Sequence, residues 1–288
     1  MPQEPSARAD LHVHSSASDG TRPPAEVVAR AAAVGLSVLA LTDHDTVAGL
    51  TPAAAALPAG LTLLGGMELS CQRDGHSVHL LAYLFDPDHP ELAAECAAIR
   101  ESRILRGQKM VERLVALGVP VSWEQVTGIA GGAVVGRPHI ARAMVEAGAI
   151  GEPADAFTPD WIGSGGRAHV GRYAPDPAAA VRLVAAAGGV SVLAHPAADR
   201  RGWRASEGLI GELAAAGMAG LEVDHPAHDP ADRAALRALA DSLGLVPTGG
   251  SDDHGDLTGD RIGSETTPPR ELERLLSGAT GAQLPPPH

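Results

Sequence analysis

The sequence predicts an α/β protein built around a mainly parallel sheet, which is either open or closed into a barrel. Short apolar β-like runs recur along the chain, and Ala- and Leu-rich helical stretches separate most of them. Strands that alternate with helices are typical of parallel sheets, because each crossover helix returns the chain to the same end of the sheet. This alternation stops between about Glu91 and His169, where only helices are predicted. We therefore expect a β/α body that carries a helical insert.

Each element is predicted from its own hydrophobic pattern. The predicted strands are Arg8–Val13, Leu36–Leu41, Leu61–Gly66, Val78–Leu84, Val190–Ala194, Gly220–Val223 and Leu245–Thr248. The predicted helices of the body are Pro23–Val34, Ala48–Ala56, Pro177–Ala187, Glu207–Ala216, Pro230–Leu243 and Arg270–Leu276. The predicted helices of the insert are Glu91–Leu117, Trp123–Ile129 and Pro138–Ala147. These patterns suggest a discontinuous body, residues 8–97 and 168–280, and an insert, residues 98–167, between Pro-rich ends without a core role.

Composition narrows the possible functions. The chain has 288 residues, a net charge of −13 and 2% aromatic residues. A phosphate backbone would be repelled overall and would find few stacking platforms, so we expect no binding of long nucleic acid and no membrane-surface role. Cys71 and Cys96 form no disulfide framework, and no hydrophobic signal region or apolar span is present. We therefore expect a cytoplasmic protein.

Imidazole and carboxylate groups follow the predicted strands. His12 and His14, in D-L-H-V-H, are two residues apart on a strand and so point to the same face. Later strands end near T-D-H-D, G-M-E-L, A-H-P and S-D-D-H, where β/α folds place their chemistry. The complete set of candidate metal ligands is His12, His14, Asp19, His44, Glu68, His79, His195, Asp252 and His254.

A single histidine is more often a satisfied core or surface residue than a metal ligand. Nine such groups on successive strands are harder to explain without metal, because a buried polar group without a partner costs about 1–3 kcal/mol. Six imidazoles and three carboxylates suit two or three ions of Mn, Fe or Zn better than Mg or Ca. Glu68 is the best candidate for a carboxylate that bridges two ions, and a bridging water would ionise near neutral pH and become a nucleophile.

These motifs, in this order, resemble the PHP (polymerase and histidinol phosphatase) superfamily. The matching pieces are D-L-H-V-H-S-S-A-S-D-G, T-D-H-D-T, G-x-E-x-S, H-L-L-A-Y, A-H-P and G-S-D-D-H-G, and they extend from Asp10 to Gly255. The resemblance implies a distorted (β/α)7 barrel with a trinuclear metal centre held by the nine residues above. It also implies a small helical insert domain that caps the active site.

The insert is similar to that of one PHP subgroup. G-R-P-H-I-A-R-A-M-V-E-A-G, from Gly136 to Gly148, resembles the subgroup that removes the 3′-phosphate from nucleoside 3′,5′-bisphosphates. Some members of that subgroup also trim short RNA from its 5′ end. The resemblance implies that Arg137 and His139 contact a substrate phosphate. It offers His225 and His228, in E-V-D-H-P-A-H, as further substrate-binding candidates.

Two positions depart from the subgroup pattern. Asp253 replaces an aromatic residue and Asp224 replaces a tyrosine. Two extra carboxylates near the site would weaken binding of a doubly phosphorylated ligand while leaving the metal ligands unchanged. These two positions therefore affect the expected choice of substrate more than the expected reaction.

The arginines of the insert allow two interpretations. Arg100, Arg103 and Arg106 share one helix face, which would be either a positive wall for an anion or, as we expect, a solvated face paired with acidic neighbours. Arg137 differs because it follows a Gly-rich stretch and precedes Pro138, which can open a helix whose free N–H groups bind phosphate. Arginine suits bidentate phosphate contact. Arg172, in H-V-G-R-Y, is a similar candidate.

The resulting functional prediction is a metal-dependent phosphoesterase. It would convert nucleoside 3′,5′-bisphosphates to 5′-mononucleotides and phosphate through in-line attack by a metal-bridging hydroxide, with short RNA as a further substrate. Glu68, Asp19 and His195 are the predicted catalytic residues, and His195 or His139 would protonate the leaving oxygen. Two alternatives remain open: a phosphatase for histidinol phosphate or another small phosphomonoester, and a metal-binding PHP module without turnover.

Overall fold

A computed structural model describes residues 8–132, 135–199 and 202–281. The predictions for the two Pro-rich ends fall outside these residues, except at Gly281. Contacts divide the chain into two compact units: a barrel unit, formed by the chain up to residue 96 and from residue 174 onward, and a helical unit, residues 97–173.

The barrel unit is built on a seven-stranded sheet in which every strand lies beside its neighbour in sequence. The strands are β1 Ala9–Val13, β2 Val38–Leu41, β3 Thr62–Arg73, β4 His76–Tyr83, β5 Val190–Leu193, β6 Gly220–Asp224 and β7 Val246–Gly249. Main-chain hydrogen bonds from Asp252 N to His12 O and from His14 N to Asp253 O nearly close the sheet between β1 and the segment after β7. The predicted distorted (β/α)7 barrel is therefore confirmed.

Two strand pairings correct the sequence prediction. The β3–β4 and β4–β5 pairs are antiparallel, whereas the other pairs are parallel. β3 continues beyond the predicted Gly66 because a tight turn at Asp74 and Gly75, both with positive φ, leads directly into β4. Asp-Gly is the residue pair that such hairpin turns favour. Glu68 consequently lies inside a strand and not at the end of one.

Helices follow most of the strands and also build the helical unit. They are α1 Pro24–Ala33, α2 Leu50–Ala55, α3 Pro90–Ala116, α4 Trp123–Ala130, α5 Arg137–Glu146, α6 Pro177–Ala186, α7 Glu207–Ala215, α8 Pro230–Leu243 and α9 Pro269–Leu276. Side chains of Asp176, Ser206 and Asp229 accept hydrogen bonds from the first-turn N–H groups of α6, α7 and α8. Such N-caps satisfy main-chain donors that the helix itself leaves unpaired.

Each unit has its own apolar core. In the barrel unit, all five residues of β1 are buried, as expected for a strand covered on both faces. In the helical unit, Met110, Leu114, Val126, Ile140 and Met144 belong to one buried cluster that joins α3, α4 and α5. Among the helices of the described residues, none combines the length and apolar character needed to cross a membrane.

Candidate metal centre

The barrel unit brings all nine predicted metal ligands together. His12 and His14 come from β1, Glu68 from β3 and His79 from β4. Asp19, His44, His195, Asp252 and His254 lie on segments that follow β1, β2, β5 and β7. The carboxyl ends of neighbouring strands and the start of the β3–β4 hairpin therefore supply the whole set.

Glu68 lies at the middle of this constellation and is only 1% exposed. Its Oε2 atom lies 3.3 Å from His12 Nε2, 3.1 Å from His14 Nε2 and 3.3 Å from His44 Nδ1. Its Oε1 atom lies 2.6 Å from His79 Nδ1 and 3.1 Å from His195 Nε2. One carboxylate thus faces five imidazole nitrogens, and its role as a bridge between metal ions stays a prediction.

Asp252 and Asp19 complete the acidic groups of the centre. Asp252 Oδ1 lies 3.3 Å from His12 Nε2, 3.4 Å from His14 Nε2 and 3.5 Å from His254 Nδ1. Asp19 Oδ1 lies 3.3 Å from His254 Nε2, and Asp19 Oδ2 lies 3.7 Å from His44 Nε2. The carboxylates therefore link the imidazoles into one continuous cluster.

Several nitrogens of the cluster are buried without a hydrogen bond. Within the described part of the chain, His12 Nε2, both ring nitrogens of His14 and His44 Nδ1 have no hydrogen-bond partner. An unsatisfied buried nitrogen is costly in a core but normal for a ligand whose lone pair is directed at a cation. Imidazole and carboxylate donors of this kind fit divalent transition metals. The residues present therefore fit a metal centre.

Proximity shifts the ionisation of these groups. Burial alone would raise the pKa of Glu68, but the imidazoles of His44, His79 and His12 lower it well below its usual range. Burial alone would lower the pKa of His14, but the carboxylates of Asp252 and Glu68 raise it to about 10. Metal binding replaces protons on such nitrogens, so affinity for metal should increase with pH.

Two of the candidate ligands have unusual backbone conformations. His195 has φ 31° and Asp252 has φ 51°, a left-handed region that costs a non-glycine residue on the order of 1 kcal/mol. His195 N donates to Glu222 Oε2 at 2.6 Å, and Arg261 donates to the Asp252 carbonyl at 2.8 Å. Specific polar partners therefore hold both ligands in these conformations.

Sequence reasoning missed a set of buried carboxylates around the centre. Glu222, 1% exposed on β6, contacts both His12 and His195. Burial alone would raise the pKa of Glu222, but the positive charge and hydrogen bond of His12, and then the charges of His225 and His195, lower it. Asp10 accepts hydrogen bonds from the N–H groups of His12, Ser251 and Gly263. A carboxylate inside an otherwise apolar strand, as in G-L-E-V-D, was the available signal for Glu222.

His225 and His228, the two further substrate-binding candidates, differ in the hydrogen bonds of their ring nitrogens. His225 Nδ1 accepts a hydrogen bond from Ala227 N, and His225 Nε2 lies 3.3 Å from Asp252 Oδ2 at the metal centre. His228 Nδ1 donates to Val223 O, and His228 Nε2 accepts from Ala197 N. The prediction that His228 binds substrate does not fit this arrangement, because main-chain groups occupy both ring nitrogens.

Asp224 and Asp253, the two acidic residues that depart from the subgroup pattern, are each paired with an arginine. Asp224 pairs with Arg237, with oxygen–nitrogen distances of 2.7 and 2.9 Å. Asp253 is buried, lies 3.1 Å from the Arg22 guanidinium and accepts hydrogen bonds from Gly255 N and Arg261 N. The expectation that these carboxylates repel a phosphorylated ligand is therefore not supported.

The helical unit contains a cluster of positive charge. Within the described residues, Arg106 Nε is buried and has no hydrogen-bond partner. Burial, followed by the charges of Arg172, Arg103 and Arg137, lowers the pKa of Arg106. The expected solvated helix face is therefore wrong for Arg106, because its Nε atom is buried and arginines from three different segments act on its charge. Like charges held together in a protein favour a bound anion.

The remaining substrate-binding candidates also lie in the helical unit. The Arg137 guanidinium lies 5.6 Å from the centroid of the Phe157 ring, at the start of α5. His139 Nδ1 accepts a hydrogen bond from Gly136 N at 2.9 Å, so its Nε2 carries the proton when the ring is neutral. Arg172 belongs to the arginine cluster around Arg106. Their contact with substrate stays a prediction.

The chain is similar in sequence to known proteins that act on phosphoester bonds. Residues 10–116 match the PHP domain. The chain is 37% identical to a 3′,5′-nucleoside bisphosphate phosphatase from Chromobacterium violaceum, over 95% of this chain and 99% of that protein. It is 34% identical to a 5′-3′ exoribonuclease from Haemophilus influenzae, over 85% of this chain and 89% of that protein.

A solved structure shares the complete fold. A protein from Bifidobacterium adolescentis, assigned to the metal-dependent phosphoesterases, superimposes with a TM-score of 0.88 and 33% sequence identity, covering 98% of this chain and 99% of the other. The motifs, the nine-residue centre and these similarities agree, and we conclude that the chain belongs to the PHP family and is a hydrolase of phosphoester bonds.

Proposed function

We propose that this protein hydrolyses the 3′-phosphate of nucleoside 3′,5′-bisphosphates to yield 5′-mononucleotides and phosphate. The observation that carries the proposal is the nine-residue centre organised by Glu68, with imidazole nitrogens directed at it from several strands. The similarity to a 3′,5′-nucleoside bisphosphate phosphatase over nearly the full length of both chains supports this substrate. Trimming of short RNA from the 5′ end is the second activity, supported by the similarity to a 5′-3′ exoribonuclease.

The donor set indicates how metal would be held. Among the groups whose ligand atoms lie within 4.8 Å of one another, three consist entirely of predicted ligands: His14, Asp19, His44 and His254; His12, His14, Glu68 and Asp252; and His44, Glu68 and His79. We propose that they hold two or three ions of Mn, Fe or Zn. When bound, such ions supply Lewis acidity and lower the pKa of water into the neutral range.

The residues of the centre then have distinct tasks. Glu68 holds five imidazoles in fixed directions, and Asp19, with 27% of its side chain exposed, is the most accessible of the three predicted acidic ligands. His195 is held by Glu222 through its main chain and directs Nε2 towards Glu68 Oε1. We propose that His195, or His139, protonates the leaving oxygen of the nucleoside.

Phosphate recognition is assigned to the cationic side chains. We propose that Arg137, His139 and Arg172 bind a phosphate group of the substrate, since guanidinium forks match phosphate oxygens. The charges of Arg103, Arg137 and Arg172 around Arg106 support this assignment, because a dianionic phosphate would offset their mutual repulsion. In the barrel unit, His225, whose Nε2 lies 3.3 Å from Asp252 Oδ2, is proposed as a further contact with the substrate.

The proposal is tested by measuring phosphate release from adenosine 3′,5′-bisphosphate by the Mn-loaded protein, with chromatographic separation of the products. We expect adenosine 5′-monophosphate and no adenosine 3′-monophosphate. Histidinol phosphate and an aryl phosphate are assayed separately under the same conditions as alternative substrates. Faster turnover of either would redirect the substrate assignment while leaving the metal chemistry intact.

The RNA activity requires its own measurement. A 5′-phosphorylated RNA of five nucleotides and a long RNA of the same composition would be incubated with equal amounts of protein. We expect stepwise 5′-mononucleotide release from the short RNA and little from the long one, because the acidic protein repels an extended phosphate backbone. An intact short RNA would limit the function to bisphosphates.

A further inference from the structure

We propose that Glu222 is a positioning residue that sets the imidazole of His12 and the main chain of His195 in the metal centre. The inference rests on the proposed metal-dependent function and adds to it a group outside the nine predicted ligands. Glu222 is buried on β6, whereas His12 lies on β1 and His195 follows β5. One carboxylate therefore connects ligands from two other strands of the barrel.

The geometry assigns one oxygen to each partner. Glu222 Oε1 lies 3.0 Å from His12 Nδ1, and Glu222 Oε2 accepts the main-chain N–H of His195 at 2.6 Å. The His12 and His195 rings lie side by side, with their centroids 5.7 Å apart and an interplanar angle of 27°. The spacing of the two ligands is thus linked to a single side chain.

This contact determines which nitrogen of His12 can bind metal. A carboxylate oxygen only accepts hydrogen bonds, so Nδ1 must carry the proton that it donates to Glu222. The lone pair is then on Nε2, which lies 3.3 Å from both Glu68 Oε2 and Asp252 Oδ1. Carboxylate partners that orient metal-bound histidines in this way fix the tautomer and make the ligand more basic.

An alternative role for Glu222 is direct metal binding together with His12 and His225, whose ligand atoms lie close enough to hold an ion. Two contacts favour positioning instead. The Oε2 atom is already engaged by a main-chain N–H group, and His225 Nε2 faces Asp252 at 3.3 Å. Gly250 leaves room for the contact between Glu222 and His12. A Cβ atom at this position would lie 3.0 Å from Glu222 Oε1 and 2.9 Å from His12 N.

The Glu222→Gln variant tests the proposal with almost no change in volume. The carboxamide must direct its oxygen at the His195 N–H group, so its NH2 group is left facing His12 Nδ1. That NH2 group donates, which forces Nδ1 to accept and places the ring proton on Nε2, where metal should bind. Glu212→Gln is the matched control, because Glu212 is an exposed carboxylate of the same unit that pairs with Arg73.

The readout is Zn²⁺ affinity, measured by competition with a chromogenic chelator, together with bound Zn²⁺ per chain. We expect Glu222→Gln to weaken Zn²⁺ binding by about 10–100-fold while Glu212→Gln matches the wild type. Equal affinity in wild type and Glu222→Gln would overturn the inference. Failure of the wild type to bind Zn²⁺ would instead overturn the proposed metal-dependent function, so the two failures are distinguishable.

A measurement on the wild type makes the test independent of how well the variant folds. In ¹⁵N-labelled, Zn-loaded protein, NMR spectra of the imidazole nitrogens separate protonated from metal-bound nitrogen, and loss of a signal in His12→Asn assigns it. We expect His12 to retain a slowly exchanging Nδ1 proton and to bind Zn²⁺ through Nε2. Coordination through Nδ1 would contradict the role proposed for Glu222.

Discussion

In the barrel unit, the carboxylates of the metal centre face imidazoles, and in the helical unit the buried Nε of Arg106 has other arginines as its charged neighbours. Glu68 alone faces five imidazole nitrogens. Arg106 has the charges of Arg172, Arg103 and Arg137 around it, and each of them lowers its pKa. In one cluster opposite charges face each other, and in the other the charges around Arg106 have the same sign as its own.

The two clusters should respond differently to ligands. In the barrel unit, the carboxylates of Asp252 and Glu68 raise the pKa of His14 to about 10, so opposite charges compensate each other there. In the helical unit, the charges of Arg172, Arg103 and Arg137 lower the pKa of Arg106, and like charges held close together destabilise the folded state. Metal should therefore mainly change the reactivity of the barrel unit, whereas a bound anion should mainly change the stability of the helical unit.

The largest expected effect is loss of the bridging carboxylate in Glu68→Gln. An uncharged amide is a much poorer ligand for two cations than a carboxylate, so we expect reduced metal content and a loss of kcat of more than about 100-fold, beyond the usual cost of losing an outer partner of a metal ligand. Metal analysis and bisphosphate turnover measure both quantities. The exposed Glu273→Gln serves as control, and wild-type metal content in Glu68→Gln would show that Glu68 is no ligand.

Next in size is the packing defect expected from Gly250→Ala. The added methyl group would overlap His12 and Glu222, so we expect a loss of about 1–3 kcal/mol in the free energy of unfolding and weaker metal binding. Urea unfolding measures the first quantity. Gly211→Ala, where no neighbouring atom lies within 4 Å in helix α7, should instead be neutral or slightly stabilising. Similar losses in both variants would argue against the close approach at Gly250.

A smaller effect of opposite sign is expected from Arg106→Met. Removing one buried charge from the cluster should raise the melting temperature in buffer without multivalent anions. Sulfate or phosphate should stabilise the wild type more than the variant, because ligand binding to the folded state adds to its stability. Thermal melts at equal ionic strength measure this, with the exposed Arg142→Met as control. Equal stabilisation of all three proteins would mean that the cluster binds no anion.

The smallest effect is expected from Asp224→Asn. Asp224 is paired with Arg237, whose side chain is 44% exposed, and such pairs contribute about 0–1 kcal/mol. We expect the KM for adenosine 3′,5′-bisphosphate to change by less than about threefold, since 1.4 kcal/mol corresponds to a factor of ten. A much lower KM in steady-state assays would restore the idea that this carboxylate repels the substrate.

Glu68 was selected as a candidate ligand on the expectation that it follows the end of β3, and that expectation was incomplete. Strand-end reasoning selected this residue, although β3 continues through it to Arg73. Glu68 still lies beside the other candidate ligands because it is at the level where the neighbouring strand β2 ends, next to His44. The missed Asp74–Gly75 turn changed the direction of β4 without moving Glu68 out of the site.

The outcome for the arginines shows where local patterns fail. Helical spacing places Arg103 and Arg106 on one face, but it does not reveal whether that face meets solvent or other cations. Arg137 and Arg172 come from distant segments, and their approach to Arg106 depends on how the helices pack. Burial and electrostatic environment are sums over such non-local neighbours.

Local sequence patterns predicted the strand and helix order and the nine candidate ligands, because alternation, capping residues and H-x-H spacing act over a few residues. These patterns left the sheet either open or closed, and the barrel was implied by the resemblance to the PHP superfamily. The folded structure was needed to show that Glu222 reaches His12 and His195, that main-chain groups occupy both ring nitrogens of His228, and that arginines neutralise Asp224 and Asp253. Each of these contacts joins residues from separate elements, and hydrogen bonds across a barrel depend on the directions of side chains that strand periodicity alone does not specify.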